Sequence, residues 1–178
     1  NGQGVTQDFT QAAVWYLKAA EQGYVYAQYT LADLYTKGQG VAQDDMQAAT
    51  WYLKAAGQGH LTAQMTVANM YENGRGVSQD FAQSAYWYGK AAEQGDIAAQ
   101  YKLGLIYSQG QGVQQNNAQA LAWYNKAAEA GNLDAKFSMA VMYENGEGVP
   151  QDSARAVELY LEAADAGHAN AQTSLGVM

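Results

Sequence analysis

The chain has 178 residues, with 17 acidic and nine basic side chains, a net charge of −8, and no cysteine. Nucleic acid is excluded as an expected partner, because binding a phosphate backbone needs clustered Lys and Arg, which this chain lacks. The absence of cysteine excludes disulfide bonds and thiolate chemistry, and no apolar run has the length of a membrane span.

The first predicted helix follows Asp8, whose carboxylate is suited to accept hydrogen bonds from the free N–H groups of a first helical turn. Residues 1–7 are predicted to be the loop half of a repeat. We call this helix and its later copies helix B. Each is expected to run about 14 residues to a closing glycine in the left-handed conformation. The same N-cap position is held in the later copies by Asp44, Asp80, Asn116 and Asp152.

Helix B carries an apolar stripe, which in the second copy contains Trp51 and Tyr52 with alanines at helical spacing. We therefore expect the Trp-Tyr pairs to lie in the core rather than to stack on a ligand. A second helix, helix A, is predicted to begin right after each closing glycine and to end at a Gly-x-Gly-Val loop. Its first copy would start at Tyr24 and end at Gly38.

The pattern recurs every 36 residues, with Gly-x-Gly-Val at 2–5, 38–41, 74–77, 110–113 and 146–149. A fixed period of this length is the signature of a solenoid. We predict one array made of a half repeat at 1–23, full repeats at 24–59, 60–95, 96–131 and 132–167, and a half repeat at 168–178. We expect this array to be a fragment of a longer one, because its terminal helices lack polar caps.

The segment from Ala27 to Gly59, with its Ala-Gln, Leu-Ala, Leu-Tyr, Gly-x-Gly-Val, Trp-Tyr and Ala-Ala pairs, resembles the Sel-one-like repeat (SLR) family. This family is a relative of the tetratricopeptide repeat. The resemblance implies an all-α fold, a right-handed α-solenoid or superhelix of antiparallel helix pairs. The last full copy departs from the pattern at Lys136, Leu159 and Glu162, so we expect it to pack somewhat differently.

The resemblance also implies a non-enzymatic adaptor, in many cases bacterial. A secreted or periplasmic location at the host interface is favoured, and a cytoplasmic one stays open. A cysteine-rich branch of the family has been linked to β-lactam binding. Because this chain has no cysteine, it does not resemble that branch, and a β-lactam-binding or β-lactam-hydrolysing protein is the least supported alternative.

No catalytic residues, metal site or cofactor are predicted. His60 and His168 hold the same repeat position three repeats apart, so they cannot share a metal in an extended solenoid. The Gly-x-Gly-Val loop lacks the preceding strand and the third glycine of a dinucleotide-binding loop.

Helix A contains positions that its apolar stripe does not use and that vary between copies. The resemblance implies that helix A lines the concave surface of the superhelix, where large apolar residues suit a peptide or a partner helix. The alternative is that the aromatic members are buried against the adjacent helix B. The predicted partner-binding residues are Tyr29, Asp33, Met65, Asn69, Tyr101, Lys102, Leu105, Phe137 and Val141.

The predicted function is protein–protein interaction, with an acidic C-terminal end. Residues 127–178 carry eight acidic and two basic side chains. Basic segments of a partner would be steered to that end, as a rate effect that salt weakens. A structural spacer within a larger repeat protein is the second interpretation, and end-to-end self-association through uncapped termini is a further expectation.

Overall fold

The computed structural model of the protein describes residues 8–177, and within this range it contains ten α-helices and no strand. The B helices are α1 (Phe9–Glu21), α3 (Asp45–Gly57), α5 (Phe81–Glu93), α7 (Asn117–Glu129) and α9 (Ser153–Asp165). The A helices are α2 (Val25–Lys37), α4 (Leu61–Asn73), α6 (Ile97–Gln109), α8 (Leu133–Asn145) and α10 (Ala169–Val177). The all-α prediction and the alternation of B and A helices are confirmed. The loop predicted at residues 1–7 lies outside the described residues.

The helices form two compact units, Asn1–Lys90 (unit 1) and Ala91–Met178 (unit 2), whose boundary falls within α5. Each unit has its own core, in which closely spaced alanines let consecutive helices approach and larger residues fill the remaining space. Leu31 and Val67 are fully buried in unit 1, and Tyr160 is fully buried in unit 2.

Each helix B begins at the predicted N-cap. The Asp44 carboxylate accepts hydrogen bonds from the backbone N–H groups of Met46 at 2.9 Å and Gln47 at 3.0 Å. Such a cap stabilises a helix by about 1 kcal/mol. The other copies are capped in the same way by Asp8, Asp80, Asn116 and Asp152.

Each helix B has 13 residues, slightly shorter than expected, because the chain leaves the helix two positions before the closing glycine. Gly59 has φ of 89°, which only glycine adopts freely, as predicted. Helix A also ends as predicted, with Gly38 at φ of 65°.

Helix A begins one residue later than predicted, because the position after the closing glycine is an N-cap rather than the first helical residue. The Nδ1 atom of His60 accepts a hydrogen bond from the N–H of Ala63 at 3.2 Å. His168 caps its helix in the same way through Ala171, again at 3.2 Å. The two histidines therefore have a structural role, as N-caps of α4 and α10.

The second glycine of the Gly-x-Gly-Val loop makes a close contact with the preceding helix B. Gly76 has φ of 69°, and a Cβ atom there would overlap the backbone carbonyl oxygen of Asp45. Gly40 meets the backbone of Phe9 and Gly148 meets Asn117 in the same manner. The loop thus packs on the first turn of a helix 31 residues earlier in the chain.

The three departures in the last full copy form one rearrangement. Elsewhere Gln64 donates a hydrogen bond to the backbone carbonyl of Ala56 at 3.2 Å, whereas Lys136 at the equivalent position binds the Glu162 carboxylate at 2.8 Å. Glu162 is at the repeat position that Lys54 holds in an earlier copy, where Lys54 lies over the Trp51 ring. Leu159 is at the repeat position of that tryptophan. Leu159 is buried, so the core remains filled.

The Trp-Tyr prediction holds for most of the tyrosines and for one tryptophan. Tyr52 and Tyr160 are buried, and Trp51 is 7% exposed. Trp15 is 64% exposed, because its helix, the first of the described residues, has a neighbouring helix on one side only. Burial of this tryptophan therefore differs between copies, and Trp87 and Trp123 are half-buried.

Candidate functional site

Each unit contains a cavity on the surface of its A helices. The cavity in unit 1 has a volume of about 70 Å³, and the one in unit 2 has a volume of about 240 Å³. We call them the unit 1 cavity and the unit 2 cavity. The unit 1 cavity is lined by Thr36, Tyr52, Thr66, Asn69, Met70 and Arg75. The unit 2 cavity is lined by Ser108, Tyr124, Phe137, Ser138, Val141, Met142 and Glu147.

Both cavities are built from the same four pieces of the repeat. Two consecutive A helices, α2 and α4 or α6 and α8, supply opposite walls. The buried tyrosine of the helix B between them, Tyr52 or Tyr124, lies at the base. The middle residue of a Gly-x-Gly-Val loop, Arg75 or Glu147, completes the lining.

The aromatic residues at one repeat position of helix A, Tyr29, Tyr101 and Phe137 (the aromatic column), pack against the buried tyrosine of the following helix B. The ring centroids of Tyr29 and Tyr52 are 5.5 Å apart, and those of Phe137 and Tyr160 are also 5.5 Å apart. His60 stacks on Tyr29 with a centroid separation of 4.6 Å. The column is half-buried, so its rings support the core with one face and leave the other partly accessible.

Three of the nine predicted partner-binding residues line the cavities, namely Asn69, Phe137 and Val141. The structure does not place the other six in the cavity linings. Tyr29, Tyr101 and Leu105 are half-buried beside the cores, and Met65 and Lys102 are half-buried on the A helices. Asp33 is paired with Lys37 at 2.7 Å.

Sequence reasoning missed Thr36, Ser108 and the two charged members of the linings, Arg75 and Glu147. Ser108 and Tyr124 approach within 3.3 Å through their hydroxyl groups. A signal was available for the charged residues, since the middle position of Gly-x-Gly-Val reads Gln39, Arg75, Gln111 and Glu147 in successive copies. That variation stood out from an otherwise constant loop.

Tyrosine hydroxyls near the A helices are held in their protonated form. Burial raises the pKa of Tyr52, Tyr101 and Tyr124. Burial, and then a hydrogen bond donated to a carboxylate, raises the pKa of Tyr88 and Tyr160 strongly. The carboxylates are those of Glu72 at 2.8 Å from Tyr88 and Glu144 at 2.6 Å from Tyr160.

These shifts predict a loss of stability in alkali. A pKa that is higher in the folded than in the unfolded state contributes stability that is complete below the unfolded value, near 10 for tyrosine. It is lost as pH rises toward the folded value. We expect thermal stability to fall above about pH 10, with part of the tyrosinate absorbance appearing only on unfolding. If all 14 tyrosines ionised together near pH 10 in the folded protein, the prediction would be wrong.

Neither a metal centre nor a membrane span is found among residues 8–177. No group of three or more His, Asp or Glu side chains in that range could hold a metal ion. No helix within these residues is both long enough and apolar enough to cross a bilayer.

Comparison with known proteins identifies a repeat family and its solved structures. The model of the Sel1 repeat matches residues 1–24, 25–60, 62–96, 97–132 and 133–168. The chain is similar to a protective antigen present in uropathogenic Escherichia coli strains that displays an SLR fold, with 40% identity and a TM-score of 0.85. That similarity covers 99% of this chain and 38% of the antigen.

Two further solved structures are similar. A Sel1 repeat protein from Oxalobacter formigenes has 37% identity and a TM-score of 0.82, covering 96% of this chain and 70% of that protein. Cysteine rich protein B of Helicobacter pylori has 26% identity and a TM-score of 0.52, covering 71% of this chain and 91% of that protein. Among curated proteins, no match was found.

Proposed function

The chain belongs to the Sel1 repeat family, and from this premise we propose that it is a non-enzymatic adaptor that binds a protein or peptide on its A helices. Proteins of this family are generally protein–protein interaction scaffolds and generally lack catalytic activity. The partner would lie along the predicted partner-binding surface. The division into full and half repeats remains part of this proposal.

One observation supports the surface of the A helices as the binding surface. A cavity recurs there at the same position of the repeat in both units, lined by residues that differ in size and charge between the copies. The cores, by contrast, repeat nearly the same alanines and tyrosines. Constant scaffolding with a variable, partly apolar concavity is what recognition of a specific partner needs.

A host–bacterium interface is the proposed setting. The likeness to a protective antigen of uropathogenic Escherichia coli strains supports it. The β-lactam alternative gains no support, because the similar Helicobacter pylori protein is cysteine-rich and this chain has no cysteine.

The test is partner capture with variants that fill the cavities without truncating any side chain of the core. Tyr29, Tyr101 and Phe137 pack against buried tyrosines, so truncating them would disturb folding. The double variant Asn69→Arg, Val141→Arg instead adds one long side chain to each cavity, at positions that are exposed and half-buried. The matched control is Tyr86→Arg, Leu161→Arg, on exposed positions of the B helices that line neither cavity.

We expect a protein held by the unmodified chain and by the control to be lost from the double variant, as measured by quantitative mass spectrometry of captured lysate and culture medium. Equal capture by all three baits would move the binding surface away from the two cavities. Capture of nothing would favour the structural spacer.

A further inference from the structure

The two cavities are counterparts two repeats apart. Each lining residue of the unit 1 cavity has an equivalent 72 residues later in the unit 2 cavity, which is twice the 36-residue period. The basal tyrosine and the methionine are the same in both, and threonines in unit 1 are replaced by serines in unit 2. The two cavities can therefore be compared position by position, and the residues that differ between them indicate what each cavity can bind.

The charge at the loop position is reversed between the two cavities. In unit 1 it is Arg75, whose Nε and terminal nitrogen bind the two Asp45 carboxylate oxygens at 3.0 and 2.9 Å. In unit 2 it is Glu147, and the residue equivalent to Asp45 is the neutral Asn117. The cation of unit 1 is thus neutralised within the protein.

The Glu147 carboxylate has no cationic partner among the described residues. Its one contact is the amide of Asn145, at 3.2 Å. The cations nearest in the chain are engaged elsewhere, since Lys136 pairs with Glu162 and Arg155 pairs with Glu158. Unit 2 also carries ten acidic and four basic residues, and this excess of negative charge favours the approach of a cation.

The rest of the unit 2 lining suits a long side chain with an apolar stem and a cationic head. Phe137, Val141 and Met142 provide apolar walls for a stem. The hydroxyl oxygens of Ser108 and Tyr124 can accept hydrogen bonds from a head group. In unit 1 the position equivalent to Val141 is held by the polar Asn69, and the unit 1 cavity is several times smaller than the unit 2 cavity.

We infer that the unit 2 cavity binds an arginine side chain of the partner, with the guanidinium paired to Glu147 and the stem against Phe137, Val141 and Met142. A guanidinium can bind a carboxylate through two parallel hydrogen bonds and can stack on an aromatic ring. The unit 1 cavity does not bind arginine, because Arg75 already occupies its loop position as a cation. This inference rests on the proposed function, in which the A helices bind the partner.

The test uses N-acetyl-arginine amide as the probe and the Met70 and Met142 methyl groups as reporters. The two methionines line the two cavities at equivalent positions, so unit 1 is the control within the same molecule. Their ¹³C-methyl resonances would be assigned with the variants Met70→Leu and Met142→Leu. N-acetyl-citrulline amide, a neutral analogue of nearly the same shape, controls for the charge.

We expect arginine amide to shift the Met142 resonance saturably at concentrations on the order of millimolar, as suits a single side chain. The Met70 resonance should stay in place, and the citrulline amide should have no effect at either methyl. Glu147→Gln should weaken binding roughly tenfold, the factor that one charge-assisted hydrogen bond can supply. The pair Glu147→Arg with Asn117→Asp, which reproduces the ion pair of unit 1, should abolish binding with the melting curve unchanged.

Three results would each overturn the inference: no saturable shift of Met142, an equal shift of Met70, or an affinity that Glu147→Gln leaves unchanged. A stronger response to N-acetyl-lysine amide would also reject arginine as the ligand. The probe needs no natural partner, so this test and the capture test can fail separately. If arginine amide does not bind but capture still depends on Asn69 and Val141, the arginine inference is wrong and the adaptor function is supported. If arginine amide binds as expected but no partner is captured, the assignment of the unit 2 cavity is supported and the adaptor function is not.

Discussion

Replacing Gly76 by alanine is expected to destabilise the protein by about 2 to 5 kcal/mol. Two effects add at this position. The left-handed backbone, with φ of 69°, costs an alanine about 1 to 2 kcal/mol. The new Cβ would also overlap the backbone carbonyl of Asp45, which cannot turn aside as a flexible side chain could. The loop would have to move away from α3, at a further cost of about 1 to 3 kcal/mol.

The matched control is Gly59→Ala. Gly59 also has a positive φ, 89°, but a Cβ there would meet nothing within 4 Å. We expect this variant to lose only the conformational part, about 1 to 2 kcal/mol. Free energies of unfolding from urea titration would give both values. Equal losses in the two variants would show that the contact between loop and helix B contributes nothing to stability.

Replacing Tyr160 by alanine is expected to destabilise the protein by about 4 kcal/mol, because it removes one of the largest fully buried side chains. Tyr160 lies in the core of unit 2 and packs against Phe137, whose ring forms part of the unit 2 cavity. The void would therefore loosen the wall of the candidate site. We expect the ¹³C-methyl resonance of Met142 to shift or broaden in this variant even without a ligand.

Tyr160→Phe separates the ring from its hydroxyl group. It keeps the packing and removes the hydrogen bond to the Glu144 carboxylate, which is 2.6 Å long. We expect a loss of about 1 to 2 kcal/mol, because the half-buried carboxylate can still be hydrated. A loss as large as that of the alanine variant would assign the stability to the hydrogen bond instead of the packing.

Local interactions explain why helix positions were predicted well. The Asp44 cap involves only backbone N–H groups two and three residues away, and Gly38 and Gly59 end helices through their own dihedral angles. Interactions between residues so close along the chain can be predicted from a short stretch of sequence. Helix A was predicted to start one residue too early because the position after the closing glycine was taken as helical, although Asp96 and Asn132 hold it in two copies and cap their helices there.

Burial was predicted less well, because it depends on the helices that pack beside each position. The same Trp-Tyr pair is buried at Trp51 and exposed at Trp15. The aromatic column posed the same problem. The sequence left two alternatives for Phe137, a surface for a partner or burial against helix B, and the ring both packs against Tyr160 and lines the unit 2 cavity.

By itself, the sequence determined the all-α class, the period of 36 residues, the N-caps of helix B and the repeat family, because these depend on spacing and on backbone preferences within one repeat. Only the tertiary structure decided which residues share a cavity. Arg75 and Glu147 follow directly after α4 and α8, whereas the basal residues Tyr52 and Tyr124 come from an earlier helix. The surroundings of this loop position follow from how the loop packs on the helix B before it. That contact spans 31 residues of chain, and its partners, Asp45 in one unit and Asn117 in the other, differ in charge. The physical reason is that electrostatic and packing interactions depend on distance in space, which separation along the chain does not report.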